Sequence, residues 1–150
     1  EHADDVAAAV KALRDELLRR IQANSGGSDA AKIAQAISIA RLDAIQYWNC
    51  AHFDIADFAS KLRARVADPA SGISAPAREA ICAKADALVA ALSGSWMYAG
   101  APYTRAWGNG LSIYLPDRYS WSPYSKNEYL QFERDTHWSD IFTYVDPYPY

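Results

Sequence analysis

Cys50 and His52 stand two residues apart, and a thiol beside an imidazole is the minimum equipment for nucleophilic catalysis, the base taking the proton and the thiolate attacking. In an extended segment that spacing turns both side chains to one side without guaranteeing contact between them, so ordinary packing is the expected reading. Cys82 flanks a face formed by Ile81 and Ala85 and is expected in the core. Two cysteines are too few for a disulfide framework. A single Cys50–Cys82 bridge in an oxidising compartment stays open, beside the plainer expectation of two unreactive thiols. Three histidines offer no paired metal-ligand spacing, so zinc is not supported. His137, next to Trp138, has no partner visible in sequence and reads as a surface or supporting residue. His2, at the chain end, carries no argument.

Carboxylates give a second set of candidates. Asp15-Glu16 and Asp54/Asp57 have the composition of acid/base pairs, but glycosidic chemistry needs carboxyl groups that flank a cleft, and helix-end charge and capping explain these four. Asp117 follows a segment with strand character. A carboxylate beyond the C-terminal end of a strand lies on the side where α/β proteins bind ligands, so Asp117 is the one substrate-binding candidate, suited to a substrate arginine. The plainer expectation is a turn-forming Asp before Arg118.

These residues must be held by elements, and the hydrophobic pattern shows which. Val6, Val10, Leu13, Leu17 and Ile21 recur at steps of three and four and predict an amphipathic helix, with Asp4 and Asp5 at its start and residues 24–27 as its stop. Ser28 or Asp29 is expected to cap a second helix with the face Ile33, Ile37, Ala40 and Ala44, completing a helical hairpin. A third helix is expected from Asp54, with Ile55, Phe58, Ala59, Leu62 and Val66 on one side, ending at Asp68-Pro69. A fourth opens at Ser74 and Pro76, carries Ile81, Ala85, Leu88 and Leu92 in phase, and closes at Gly94. Beyond it the composition changes: fifteen of the nineteen aromatic residues lie between Trp96 and Tyr150. Leu111, Ile113 and Leu115 alternate with Ser112 and Tyr114, the pattern of a short strand, and residues 95–99 are a candidate for another. Ser125 with Glu128 is a capping-box signature for a short helix carrying Tyr129, Leu130 and Phe132. The chain thus divides into a helical part, about residues 1–94, and an aromatic-rich strand and loop part, about 95–150.

Its 150 residues suffice for one domain with a real core. A net charge of −3 and a pI near 5.5, with Lys and Arg scattered, argue against nucleic acid as a partner. No apolar run reaches the roughly 18–20 residues of a membrane span, and the acidic start at Glu1 and Asp4 does not read as a signal peptide. One or two strands do not make a stable sheet in water, where about three, or a packed helix, are needed. A lone strand at 111–115 among four to six helices therefore predicts an α/β layer whose other strands come from elsewhere in a larger protein.

Gly110-Leu111-Ser112-Ile113-Tyr114-Leu115-Pro116, followed by a Tyr-rich turn, a short helix and Thr136-His137-Trp138, resembles the C-terminal region of the clostripain-like cysteine peptidases. Ala40-Arg41 followed by Asp54-Ile55-Ala56-Asp57-Phe58-Ala59 is similar to that family's Ala-Arg pair ahead of an Asp-Leu-x-Asp-Phe helix start. The likeness covers about residues 36 to 142. It implies an α/β fold in which this chain is the helix-rich C-terminal part of a caspase-like α/β/α sandwich, with at least one short strand at about 110–116 and four to six helices. It also implies cleavage after Arg or Lys by a His–Cys dyad lying upstream of the matched segments. Both catalytic motifs are missing here, so no catalytic residue carries over and the chain alone is expected to be inactive. The implied partners are the catalytic N-terminal half of the same precursor and a peptide or protein substrate. No cofactor is expected in this chain, and calcium in the parent protein stays open. A secreted or cell-envelope protein of bacterial type, processed by proteolysis, is the implied setting.

The rival expectation rests on Trp96, Tyr98, Tyr103, Trp107, Tyr119, Trp121, Tyr124 and Trp138. Amphipathic rings on one surface would make the chain a self-contained carbohydrate- or peptide-binding module. The same rings equally serve a core and a buried contact.

Overall fold

Apolar positions recurring every three or four residues build four long helices, and each buries the face its sequence marks. A computed structural model of the chain describes residues 2–23, 28–47, 52–93, 111–117 and 131–149. Helix α1, His2–Ala23, buries Val6, Val10, Leu13, Leu17 and Ile21, and Asp4 and Asp5 in its first turn and Arg20 in its last oppose the helix dipole. Helix α2, Ser28–Asp43, buries Ile33, Ile37 and Ala40, with Ala44 just beyond its end. Helix α3, Ile55–Ala67, begins where the Asp54 side chain accepts from the Asp57 N–H at 2.9 Å. It stops at Asp68, which Pro69 steers into extended backbone, φ −63° and ψ 121°. Asp68 then caps a 3-10 turn, Pro69–Ser71, and Gly72 leaves that turn at φ +65°, a left-handed conformation that a side chain rarely adopts. Helix α4, Ala75–Leu92, carries Pro76 in its first turn and buries Ala77, Ile81, Ala85, Leu88 and Leu92.

Of the two capping candidates for α2, Asp29 is used elsewhere. Asp29 turns its carboxylate to the start of α4, accepting from the Ser74 hydroxyl at 2.6 Å and the Ser74 N–H at 3.1 Å. The pair ties the first turn of α2 to the residue preceding α4. Helix α1 packs on α2 and α4, and α3 packs on the same two. The four therefore close a ring around fully buried Leu13, Leu17, Ile37, Leu62, Ile81 and Leu88.

The strand expected near 111–115 is present as Ser112–Tyr114, and its partners lie within this chain. Two short strands, Gln46–Tyr47 (β1) and His52–Asp54 (β2), precede it, making it β3 of a three-stranded sheet ordered β1-β2-β3. Both pairings are antiparallel, with Phe53 opposite Gln46 on one side and Ile113 on the other. The expectation that β3 must draw its neighbour from another part of a larger protein is corrected on this point: β2 supplies it. Strands of two and three residues are too short to show alternation, which is why β1 and β2 leave no pattern in the sequence. The candidate strand at 95–99 lies outside the described residues.

Beyond β3, helix α5, Gln131–Thr136, and a 3-10 helix, Trp138–Tyr144, return against α1. The buried Glu133 carboxylate binds them together, accepting from the Ser139 N–H at 3.2 Å and from the Ser139 hydroxyl. The intervening His137 sits at φ 49°, the only positive φ outside glycine among the described residues. Residues 125–130, where the capping box was expected, lie outside the described residues. Ile113, Leu115, Trp138, Ile141 and Phe142 belong to the same core cluster as the four helices, so the helical and aromatic-rich parts share one interior. Among the described residues no helix is long and apolar enough to cross a membrane.

Candidate functional site

The chemistry-bearing side chains gather where the last turn of α2 meets the end of β3. Arg41 is 8% exposed. It reaches this depth because it stands four and eight residues after Ile37 and Ile33 on the inward face of α2. Its Nε–H donates to the Leu115 carbonyl at 2.7 Å, and its guanidinium carbon lies 4.9 Å from the centre of the Phe53 ring. Asp117 Oδ2 is 3.8 Å from an Arg41 Nη atom, with both side chains mostly buried. Burial pushes the Arg41 pKa down, and the charge of Asp117 offsets this only in part. Asp117, the candidate for holding a substrate arginine, thus faces an arginine of its own chain.

A second set of contacts surrounds β2. Asp54 caps α3 through the Asp57 N–H, while Asp57 accepts from the Ile45 N–H at 2.8 Å. These two carboxylates act as backbone acceptors that hold β1 and α3 in place, in line with the capping reading. His52 lies opposite Tyr114 in the sheet, ring centroids 5.3 Å apart, and Tyr114 meets Phe142 edge to face at 5.9 Å. The Trp138 indole N–H donates to the Tyr114 carbonyl at 3.2 Å, and its ring stands nearly perpendicular to Phe58. The Ile55 N–H donates to the Leu111 carbonyl at 3.2 Å. Residues from 40–41, 54–59, 111–115 and 136–138 therefore converge on one small sheet. Comparison with protein families, characterised proteins and solved structures finds no match.

The other candidates lie apart from this cluster. Cys82 is a free, half-buried thiol whose Sγ lies 3.7 Å from the Arg63 carbonyl, and burial pushes its pKa up, which favours the unreactive thiol. Cys50 lies outside the described residues, and with it the geometry of any Cys50–His52 pair or Cys50–Cys82 bridge. His137 exposes its side chain and uses its carbonyl to accept from Arg14 Nε at 3.1 Å, while Arg14 also pairs with Asp140. Asp15 pairs with Lys11 and Arg14, and Glu16 with Arg19 and Arg20, so both acidic residues serve α1 itself. Trp138 is fully buried; the other seven rings considered for a binding surface lie outside the described residues. Among the described residues no group of three or more His, Cys, Asp or Glu side chains is placed to hold a metal.

Sequence reasoning placed Asp117 near a strand end but missed Arg41 as its partner. The signal was available: an arginine in phase with Ile33 and Ile37 is an arginine on a buried face, and a buried guanidinium needs an acceptor.

Proposed function

We propose that this chain is the non-catalytic C-terminal part of a clostripain-like cysteine endopeptidase that cleaves after Arg or Lys. The observation that carries the reading is the convergence around the sheet. Ala40-Arg41 with the segment from Asp54 to Ala59 forms one of the two stretches that resemble the family, and the strand at 111–115 with Thr136-His137-Trp138 forms the other. Here Arg41 bonds Leu115, Asp54 lies opposite Ser112, and Trp138 bonds Tyr114 and packs on Phe58. Segments far apart in sequence that share one packed unit are what a common structural framework requires.

On this reading a Cys thiolate of the catalytic half attacks the scissile carbonyl, and its His passes the proton to the leaving amine. This chain supplies framework: the ring of helices supports the small sheet, and its loops contribute to the wall of the cleft. The sheet described here is antiparallel and the helices complete their own ring. The layered sandwich therefore requires further strands from the catalytic half, and that part of the proposal rests on the family resemblance.

Amide reporters bearing Arg or Lys at the cleaved position test the proposal. Material purified through this chain from its source should hydrolyse them, lose activity on thiol alkylation, and keep it in the Cys82→Ala variant. The isolated recombinant chain should be silent. Hydrolysis by the isolated chain, or loss of activity in Cys82→Ala material that remains folded, would overturn the assignment.

A further inference from the structure

Arg41 is the only buried cation among the described residues, and its hydrogen bonding is incomplete. Nε–H is taken by the Leu115 carbonyl and Phe53 covers one face of the guanidinium. The Nη groups donate no hydrogen bond to a described residue, since Asp117 at 3.8 Å is beyond hydrogen-bond length. No buried side-chain nitrogen or oxygen among the described residues lacks a partner. The 10% of the Arg41 side chain that stays exposed must therefore include its Nη edge. The result is a mostly buried planar fork of N–H groups whose outer edge reaches the surface, with an aromatic ring over one face.

We propose that the Nη edge of Arg41 is a carboxylate-binding site at the C-terminal end of β3. A guanidinium fork matches the two oxygens of a carboxylate. Burial strips water from most of the guanidinium, and Asp117 at 3.8 Å offsets that cost only in part, so a carboxylate reaching the exposed edge meets a cation that is not fully compensated. Asp117 also tunes the affinity, because its charge opposes any anion that reaches the fork. The ligand is a carboxylate on a small molecule or on a peptide, and the inference stands whether or not the chain belongs to a peptidase.

Titration of the 15N-labelled chain with sodium acetate at constant ionic strength, reading the Arg41 Nε and Nη resonances, tests the site. A saturable shift is expected at Arg41 and none at exposed Arg19. Asp117→Asn keeps the fork and removes the repelling charge, and should tighten acetate about three- to tenfold. The folded Arg41→Lys variant should lose the saturable response, because an ammonium has no fork. Acetyl-Gly-Gly-Gly with a free terminus and acetyl-Gly-Glu-Gly-amide separate a chain end from an acidic side chain as the source, whichever binds more tightly supporting the site. Absence of a saturable shift in both the parent chain and Asp117→Asn, or equal binding of fully amidated acetyl-Gly-Gly-Gly-amide, would overturn the proposal.

Discussion

Arg41 fastens three parts of the molecule with one side chain: α2 carries it, the Leu115 carbonyl after β3 accepts a hydrogen bond from its Nε–H, and Phe53 of β2 lies under it. Replacing it removes a charge-assisted hydrogen bond, leaves the Leu115 carbonyl short of a donor and opens space beside Phe53. Arg41→Ala should therefore destabilise the chain by about 2–4 kcal/mol, read as a lower urea midpoint at unchanged slope. A surface role would leave the stability within about 0.5 kcal/mol of the parent. At this scale the sequence was partly legible. Asp54 announced a helix cap and became one, whereas Asp117 was visible only as a carboxylate after a strand. Its counterion was hidden because residues 41 and 117 are joined by folding and by no local spacing.

Helices were legible where strands were not, and the reason is length. A helix such as α1 repeats its apolar face over several turns, and each repeat is an independent vote for the same period. β1 and β2 offer two and three residues, and β3 was readable only because Leu111 and Leu115 extend its alternation past the paired segment. Trp138 is the bolt between these levels, joining the C-terminal 3-10 helix to β3 by hydrogen bond and to α3 by its ring. Trp138→Phe keeps an aromatic ring and should cost about 1 kcal/mol through the lost indole N–H, while Trp138→Ala should cost about 3–5 kcal/mol. Chemical denaturation separates the two, and equal losses would mean that the ring's packing contributes nothing beyond the hydrogen bond. Helix α1 adds a pH dependence. Burial pushes the Glu16 pKa up, but hydrogen bonds from Arg19 and Arg20 outweigh it and the net shift is down. A carboxylate with a folded pKa below its unfolded value of about 4.3 stabilises fully above that value. The contribution is lost as pH falls through the lower folded pKa. Stability should thus decline from the ordinary carboxylate range downward, and Glu16→Gln should narrow the gap between urea midpoints at about pH 7 and pH 3. An unchanged gap would remove Glu16 from the explanation.

At the scale of the whole molecule, one core drawn from both parts of the chain explains why the helical and aromatic-rich segments belong together. Trp138 shows how a ring that sequence allows for a binding surface is claimed by the interior. Chain partnership leaves a fainter mark in sequence than a helix does, because the residues that would meet another polypeptide obey the same apolar chemistry as a core. The most direct test of the central claim is to label material purified through this chain with a thiol-reactive probe bearing an Arg-directed recognition group, then locate the label by intact mass. The account predicts label on a second polypeptide, with loss of Arg-amide hydrolysis in proportion, and none on Cys82. Label confined to this chain, or a homogeneous, folded chain with no labelled companion and no hydrolysis, would contradict it.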